Sequence, residues 1–275
     1  MQLTAENYYS REANEEYMSV SLFKKLSGTY GIAKCEAEAV AELKGEYSEE
    51  PSKALLVGSY VDSYFEGEES FNRFKTEHTE IYTKTSLKKP DPSQWELLAD
   101  YKNADDIIKK IESSPVFMSA LSGEKQVIMT GEIGGIPWKI KMDSYMPGSF
   151  ITDLKVIKSF SESTWVRDLG YLNFAHYWGY DIQAAVYQEI VYQNTGQRLP
   201  FYIAAATKED GIDIGVFEVD PPYVKEALQY VLMNIDDVVR VWRGERMPQR
   251  CNKCRYCRMT KILTGPAWLS SLDEQ

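Results

Sequence analysis

The residues Gly135-Ile136-Pro137-Trp138-Lys139-Ile140-Lys141-Met142-Asp143, with Phe150-Ile151-Thr152-Asp153-Leu154-Lys155-Val156-Ile157 just beyond a turn at Pro147-Gly148, decide the fold. Both segments carry a strand-like period. A third such segment, Val127 to Ile133, precedes them across Gly134-Gly135, a pair suited to a tight hairpin. The spacing predicts a three-stranded antiparallel meander, with Asp143 and Asp153 at or near adjacent strand ends. Residues i and i+2 share one face of a strand, so Asp153 and Lys155 project together while Leu154 points into the core. Two carboxylates converging in this way make an oxygen-ligand site for Mg²⁺ or Mn²⁺, with the backbone carbonyl of Leu154 as a further ligand. Lys155 adds a cation able to orient a water or stabilise charge developing in a displacement at phosphorus. The competing reading makes Asp143 a hairpin-closing residue and Asp153 with Lys155 a surface ion pair, and Asp-x-Lys alone does not separate the two.

Working outward, the N-terminal side reads as helical. Ser19 or Ser21 caps a helix with Leu22, Phe23 and Leu26 on one face, a second helix covers Glu36 to Leu43, and a third covers Lys53 to Phe65. Gly58 in that third helix marks a place where a second helix or a ligand could approach closely. From Thr76 to Ser93 the chain is polar, with Lys84, Lys88, Lys89, Pro90 and Pro92, which predicts a mobile cationic loop suited to substrate contact before a helix from Trp95 to Ile111. Beyond the meander the pattern predicts a helix over Tyr180 to Asn194, strands over Phe201 to Ala206 and Asp213 to Val219, and a last helix from Pro222 to Trp242. The expected class is α/β of the α+β kind, a central mixed sheet flanked by helices. We read 1–275 as one domain, with a mainly helical segment over 1–120, a core over 121–242 and a basic cysteine-rich tail over 243–275.

The chain's 275 residues, 44% hydrophobic and 26% charged, match a globular protein with a sizeable core and exclude collagen-like or largely disordered chains. Its apolar runs are too short to cross a bilayer and the N-terminus lacks a basic patch followed by an apolar stretch, so a cytoplasmic protein without a membrane partner is expected. A net charge of −10 argues against a general nucleic-acid coating protein. The region Arg243 to Lys261 opposes that balance, with seven cationic residues against one acidic, Glu245. Only His78 and His176 are present, which limits a Ser-His-Asp hydrolase or a multi-histidine zinc site. Glu132 could support the carboxylates or be a solvated strand residue, and His176 reads more readily as a member of an aromatic cluster. No phosphate-binding glycine loop is present.

All four cysteines fit one arrangement: Cys251, Cys254 and Cys257 in Cys-x-x-Cys-x-x-Cys, and Cys35 far upstream. Such clustering in a cytosolic chain suggests metal binding. Three thiolates at three-residue spacing resemble iron–sulfur ligation more than two separated Cys-x-x-Cys pairs do, so a [4Fe–4S] cluster is expected, with Zn²⁺ the alternative. Metal–thiolate bonds would clip the N-terminal helices to the tail.

Gly58-Ser59-Tyr60-Val61-Asp62, then Gly135 to Asp143, then Asp153-Leu154-Lys155, then Gln183-Ala184-Ala185-Val186-Tyr187, in this order, resemble the PD-(D/E)xK nuclease superfamily, in particular its RecB-like and RecE-like exonuclease branch. The resemblance runs from about Ser19 to Thr260 and implies a restriction-endonuclease-like core. Asp62 stands where such enzymes commonly have His, and a carboxylate there still suits a hard cation. The resemblance implies that Asp62, Asp143 and Asp153 hold one or two divalent cations, that Lys155 assists the attacking water, and that the helix face carrying Gln183 and Tyr187 contacts DNA or positions the carboxylates.

It further implies 5′ to 3′ digestion of linear duplex DNA, leaving a 3′ single strand for a single-strand annealing recombination partner, with Lys88 and Arg255 guiding phosphates. One cysteine ahead of the core and three behind it is also the arrangement of iron–sulfur members of this branch. A single-strand-preferring iron–sulfur nuclease and a non-catalytic DNA-binding module are the alternatives. Oligomeric state is open at this point.

Overall fold

The computed structural model describes residues 1–263, 265–266 and 268–269; the rest of the predicted tail, 264, 267 and 270–275, lies outside the described residues. The chain order is α1 (Arg11–Glu16), α2 (Val20–Ser27), α3 (Glu36–Leu43), α4 (Lys53–Glu66), α5 (Glu68–Glu77), α6 (Ala99–Glu112), α7 (Pro115–Ala120), β1 (Glu124–Ile133), β2 (Ile136–Met146), β3 (Phe150–Ile157), β4 (Ser163–Val166), β5 (Gly170–Asn173), α8 (Phe174–Tyr177), α9 (Tyr180–Thr195), β6 (Phe201–Thr207), β7 (Ile214–Glu218), α10 (Pro221–Trp242) and α11 (Arg255–Met259). Among the described residues no helix is long and apolar enough to cross a membrane.

The expected meander forms. Gly134 and Gly135 both take positive φ, +62° and +70°, the two-residue turn that matches strand twist, and β1 pairs antiparallel with β2 from Ile133 opposite Ile136 to Glu124 opposite Tyr145. β3 then pairs antiparallel with β2 and parallel with β6, and β7 closes the far edge, giving the order β1-β2-β3-β6-β7. This is the mixed sheet flanked by helices that the sequence predicts.

Alternation along β3 and β6 divides the core. Ile151, Ile203 and Ala205 face a cluster with Phe23 of α2, Ile182 and Val186 of α9, and Val231 and Ile235 of α10. Leu154, Ala204 and Ala206 face a second cluster with Val57 and Val61 of α4, Ile107 and Ile111 of α6, and Phe117 of α7. The sheet is therefore covered on both faces, which explains why β6 reads as a continuous apolar run.

Several expectations need correction. The Thr76–Ser93 stretch is not an open loop: α5 ends within it and turns are pinned by Ser86, which is buried, donates its hydroxyl to Thr83 O and accepts the Glu96 amide at 2.9 Å. The following helix begins at Ala99 rather than Trp95, because Trp95–Leu98 is held extended: Thr83 N donates to Glu96 O and Leu98 N to Ile81 O. Among the described residues no neighbour crowds Gly58, which lines a cavity, so of its two readings the close helix contact is not made and the open approach remains. The β4–β5 hairpin and α7 carry too little period to be foreseen.

The N-terminus is tied to β2 by Lys139, 1% exposed, whose ammonium donates to Tyr8 O and to Asn14 Oδ1. The tail is tied to α3 by Glu36, also 1% exposed, which accepts both Arg246 Nη atoms at 2.9 and 2.8 Å and the Gln249 amide at 2.8 Å.

Candidate active site

The ladder between β2 and β3 runs only from Ser144–Thr152 to Met146–Phe150. Beyond it the strands part, and Asp143 fills the gap: its Oδ2 accepts the Leu154 amide at 3.0 Å. Asp143 is thus an inserted strand residue and not a hairpin closer. Asp153, 4% exposed, forms an ion pair through Oδ2 with Lys155 on the same strand face, while Oδ1 accepts the Gln183 side-chain amide at 2.6 Å. Asp62 enters from α4 in the opposite layer and lines a cavity of about 410 Å³ with Asp143, Asp153 and Lys155.

The charges are unbalanced without a cation. Burial, with Asp143 and Asp153 nearby, pushes the Asp62 carboxyl well above the usual carboxylate range. Burial and the Asp153 charge raise Asp143 to about 7. Burial alone would lower Lys155, but Asp153 and Asp143 more than reverse this and hold the ammonium firmly protonated. Asp62 Oδ1 is buried and has no hydrogen-bond partner among the described residues. A buried orphan oxygen beside two more carboxylates suits a hard cation with oxygen ligands, so the residues fit Mg²⁺ or Mn²⁺. The Leu154 carbonyl lies 3.4 Å from Lys155 Nζ, at the margin of the same group.

The two helix residues singled out in the sequence have different placements. Gln183 braces Asp153, whereas Tyr187 is 8% exposed and donates its hydroxyl to Lys141 O at 3.0 Å. Lys88 and Arg255 are exposed and line none of the three cavities, among the described residues, that the carboxylates border. Glu132 is exposed near the β1–β2 turn and lines none of them. His176 sits between the rings of Tyr223, at 4.1 Å, and Tyr30, at 6.4 Å.

Three residues escaped sequence reasoning. Gln126, opposite Asp143, has φ +54°, a left-handed conformation that costs a non-glycine residue of order 1 kcal/mol, and its amide approaches Asp143 Oδ1 at 3.5 Å. Lys24 of α2 donates to Trp178 O at 2.9 Å, and burial with the Lys155 charge lowers its ammonium to about 8. Lys141 places its ammonium 4.6 Å from the centre of the Tyr9 ring, and both line the carboxylate cavity. Lys141 alternates with Asp143 on β2, a signal that was available; Gln126 and Lys24 carried none.

The four cysteines also converge. Their sulfurs lie within 4.8 Å of one another, with Cys35–Cys257 at 3.5 Å, Cys35–Cys254 at 3.6 Å and Cys251–Cys257 at 4.0 Å. The amides of Lys253 and Cys254 donate to Cys251 Sγ and, against the opposing effect of burial, bring that thiol down to about 7. Four mutually close sulfurs with N–H donors form a set that could hold a metal ion.

The family model for the PDDEXK-like domain of unknown function (DUF3799) matches residues 19–260. A crystal structure of a Eubacterium rectale protein named "putative exonuclease" is 52% identical, with a TM-score of 0.93, covering 99% of this chain and 98% of its own. A second solved structure, of SSO0001, is 16% identical over 82% of this chain and 93% of its own, and its TM-score of 0.29 carries no argument. No curated protein matches. A match over residues 19–260, on a mixed sheet whose parted central strands bring Asp143 and Asp153 to Lys155, makes this chain a member of the PDDEXK-like family.

Proposed function

We propose that the protein is a divalent-metal-dependent nuclease, and specifically an exodeoxyribonuclease of the RecE-like kind that works from the ends of linear DNA. The observation that carries this reading is the meeting of Asp62, Asp143, Asp153 and Lys155 at one cavity, with a buried carboxylate oxygen left unpartnered. A bound Mg²⁺ or Mn²⁺ would neutralise the scissile phosphate and make an attacking water more acidic. The chain's own residues supply the rest. Lys155 stays cationic between Asp153 and Asp143 and orients the water or meets the charge that develops at phosphorus. Gln183 engages Oδ1 of Asp153 while Oδ2 pairs with Lys155, so the carboxylate is held from both sides beside the cavity it lines. The Leu154 amide fixes the rotation of Asp143.

The finer features of the reading rest on the resemblance: 5′ to 3′ polarity, a 3′ strand passed to an annealing partner in phage-type recombination, and phosphate guidance by exposed Lys88 and Arg255. We also read 1–275 as one working unit, supported by the Glu36–Arg246 and Lys139–Asn14 ties. For the cysteines, three sulfur pairs at 3.5 to 4.0 Å, with all four sulfurs within 4.8 Å of one another, support the Zn²⁺ alternative over the expected [4Fe–4S] cluster. A single ion with metal–sulfur bonds of about 2.3 Å sets tetrahedral edges near ~3.8 Å, whereas thiolates bound to four different irons stand farther apart. In either form the role is to clip α3 to the tail.

The test is digestion of 5′- and 3′-labelled linear duplex with Mg²⁺, Mn²⁺ or EDTA, using the wild type, Asp153→Ala and Lys155→Ala, with metal analysis and a visible spectrum of anaerobically purified protein. Metal-dependent release of nucleotides that both variants abolish is the expected result. Undiminished digestion by either variant would overturn the assignment, and a brown protein with iron and sulfide would restore the cluster.

A further inference from the structure

A second cavity, of about 680 Å³, shares Ser59, Asp62 and Lys155 with the carboxylate cavity and opens on its other side. Its chemistry is different. Leu55, Phe174, Trp178 and Tyr180 form apolar and aromatic wall; Lys158 is paired with Glu162 of the same wall at 2.9 Å, and Lys208 adds a further cation. Trp178 is 48% exposed and Leu55 60%, so large apolar side chains face solvent beside the reacting centre. The volume is in the range of small-ligand pockets.

Trp178 is held rather than free. Its backbone carbonyl accepts Lys24 Nζ, and its ring packs edge-on against Tyr177 at 5.3 Å while the rest of the indole is exposed at the cavity wall. Lys208 is fixed through its backbone, whose amide donates to Ile157 O at 2.9 Å. An exposed aromatic surface beside lysines, continuous with a phosphate-hydrolysing centre, matches the combination that holds single-stranded nucleic acid: bases stack on the ring while cations follow the backbone.

Resting on the nuclease reading above, we propose that this cavity is a base-stacking subsite for an unpaired stretch of the DNA strand adjoining the scissile phosphate, with Trp178 as the stacking surface and Lys208 as a phosphate contact. A base inside a duplex is stacked on both faces and cannot lay one on Trp178 without unstacking, and only the outermost pair of a blunt end keeps a free face. The subsite therefore selects unpaired nucleotides whatever their sequence, because every base presents a π-face.

The test is binding, measured separately from hydrolysis. Fluorescence anisotropy in EDTA and in Ca²⁺ compares a labelled oligothymidine with an abasic oligonucleotide of equal length and charge. The wild type should favour the thymidine strand by about 5- to 150-fold, the range expected for stacking one base. Trp178→Ala should abolish that preference and Trp178→Phe should keep most of it. Lys208→Gln should weaken both strands equally and reduce the salt slope by about 1.

Equal binding of the two strands by the wild type, or a preference that survives in Trp178→Ala, overturns the proposal. Should Trp178→Ala fail to fold, the wild-type comparison and Trp178→Phe still decide it. Base-dependent binding without hydrolysis in any metal would remove the nuclease reading and leave the subsite. Metal-dependent hydrolysis without base-dependent binding would do the reverse.

Discussion

Gln183 on α9 donates its amide to Asp153 on β3 across 2.6 Å, so a helix of one layer sets the angle of a carboxylate on the central strand. Gln183→Ala should leave the fold intact and lower metal-dependent cleavage by about 10- to 100-fold, the usual effect of removing a partner that orients a metal ligand. Raising the metal concentration should restore some of the rate. Steady-state rates across a Mg²⁺ series with circular dichroism as the folding control check this, and an unchanged metal dependence would count against the bracing role.

Asp143 ties stability to pH and metal together. Its carboxyl is raised from an ordinary 3.8 to about 7, first by burial and then by Asp153. A raised acid contributes stability that is fully present below the unfolded value and is lost as pH rises through the folded one. The metal-free protein should therefore lose stability between about pH 4 and pH 7, and added Mg²⁺ or Mn²⁺ should offset the loss. The metal-induced rise in melting temperature should be larger at pH 8 than at pH 6, and Asp143→Asn should remove most of that difference. Thermal melts at the two pH values provide the measurement.

The Glu36 clip has the opposite sign. Burial would raise Glu36, but Arg246, Lys34 and the Gln249 amide bring it down to about 2. A depressed acid contributes stability present above the unfolded value and lost as pH falls toward the folded one, at most roughly 3 kcal/mol at neutral pH. Glu36→Gln should therefore be destabilised at pH 7, and its deficit should shrink by about half by pH 3. Urea midpoints at both pH values, with protease sensitivity of the tail, check both expectations.

Among the described residues Lys139 has no acidic partner but satisfies two acceptors. Lys139→Met removes the donor to Tyr8 O and Asn14 Oδ1 and should cost about 1–3 kcal/mol through those unmet groups. The Tyr8 carbonyl that Lys139 holds immediately precedes Tyr9, which lines the carboxylate cavity. The expected outcome is a lower melting temperature together with weaker DNA binding, read by calorimetry and anisotropy.

The meander was legible because its information is local. Gly134-Gly135 specifies the turn, and the period of the strands fixes which residues share a face, so Asp153 with Lys155 and the inward Leu154 could be read from spacing. The helices α2, α3 and α9 were legible for the same reason. Trp95 to Leu98 was misread because a backbone pairing with Ile81 to Thr83 outweighs helical propensity there, an effect that no local pattern encodes.

Sequence by itself determined the layered class, the strand that carries Asp153 and Lys155, and the candidacy of the four cysteines as one group. Only the tertiary structure decided that β2 and β3 part beyond Ser144, that Asp62 reaches the gap from the opposite layer, and that Cys35 meets the tail. It also decided which side of the carboxylates carries Trp178 and Lys208. The reason is physical. Period and turn chemistry act over a few residues, whereas charge convergence depends on how two separately packed layers close on one sheet, and that closure belongs to the packing of both cores at once.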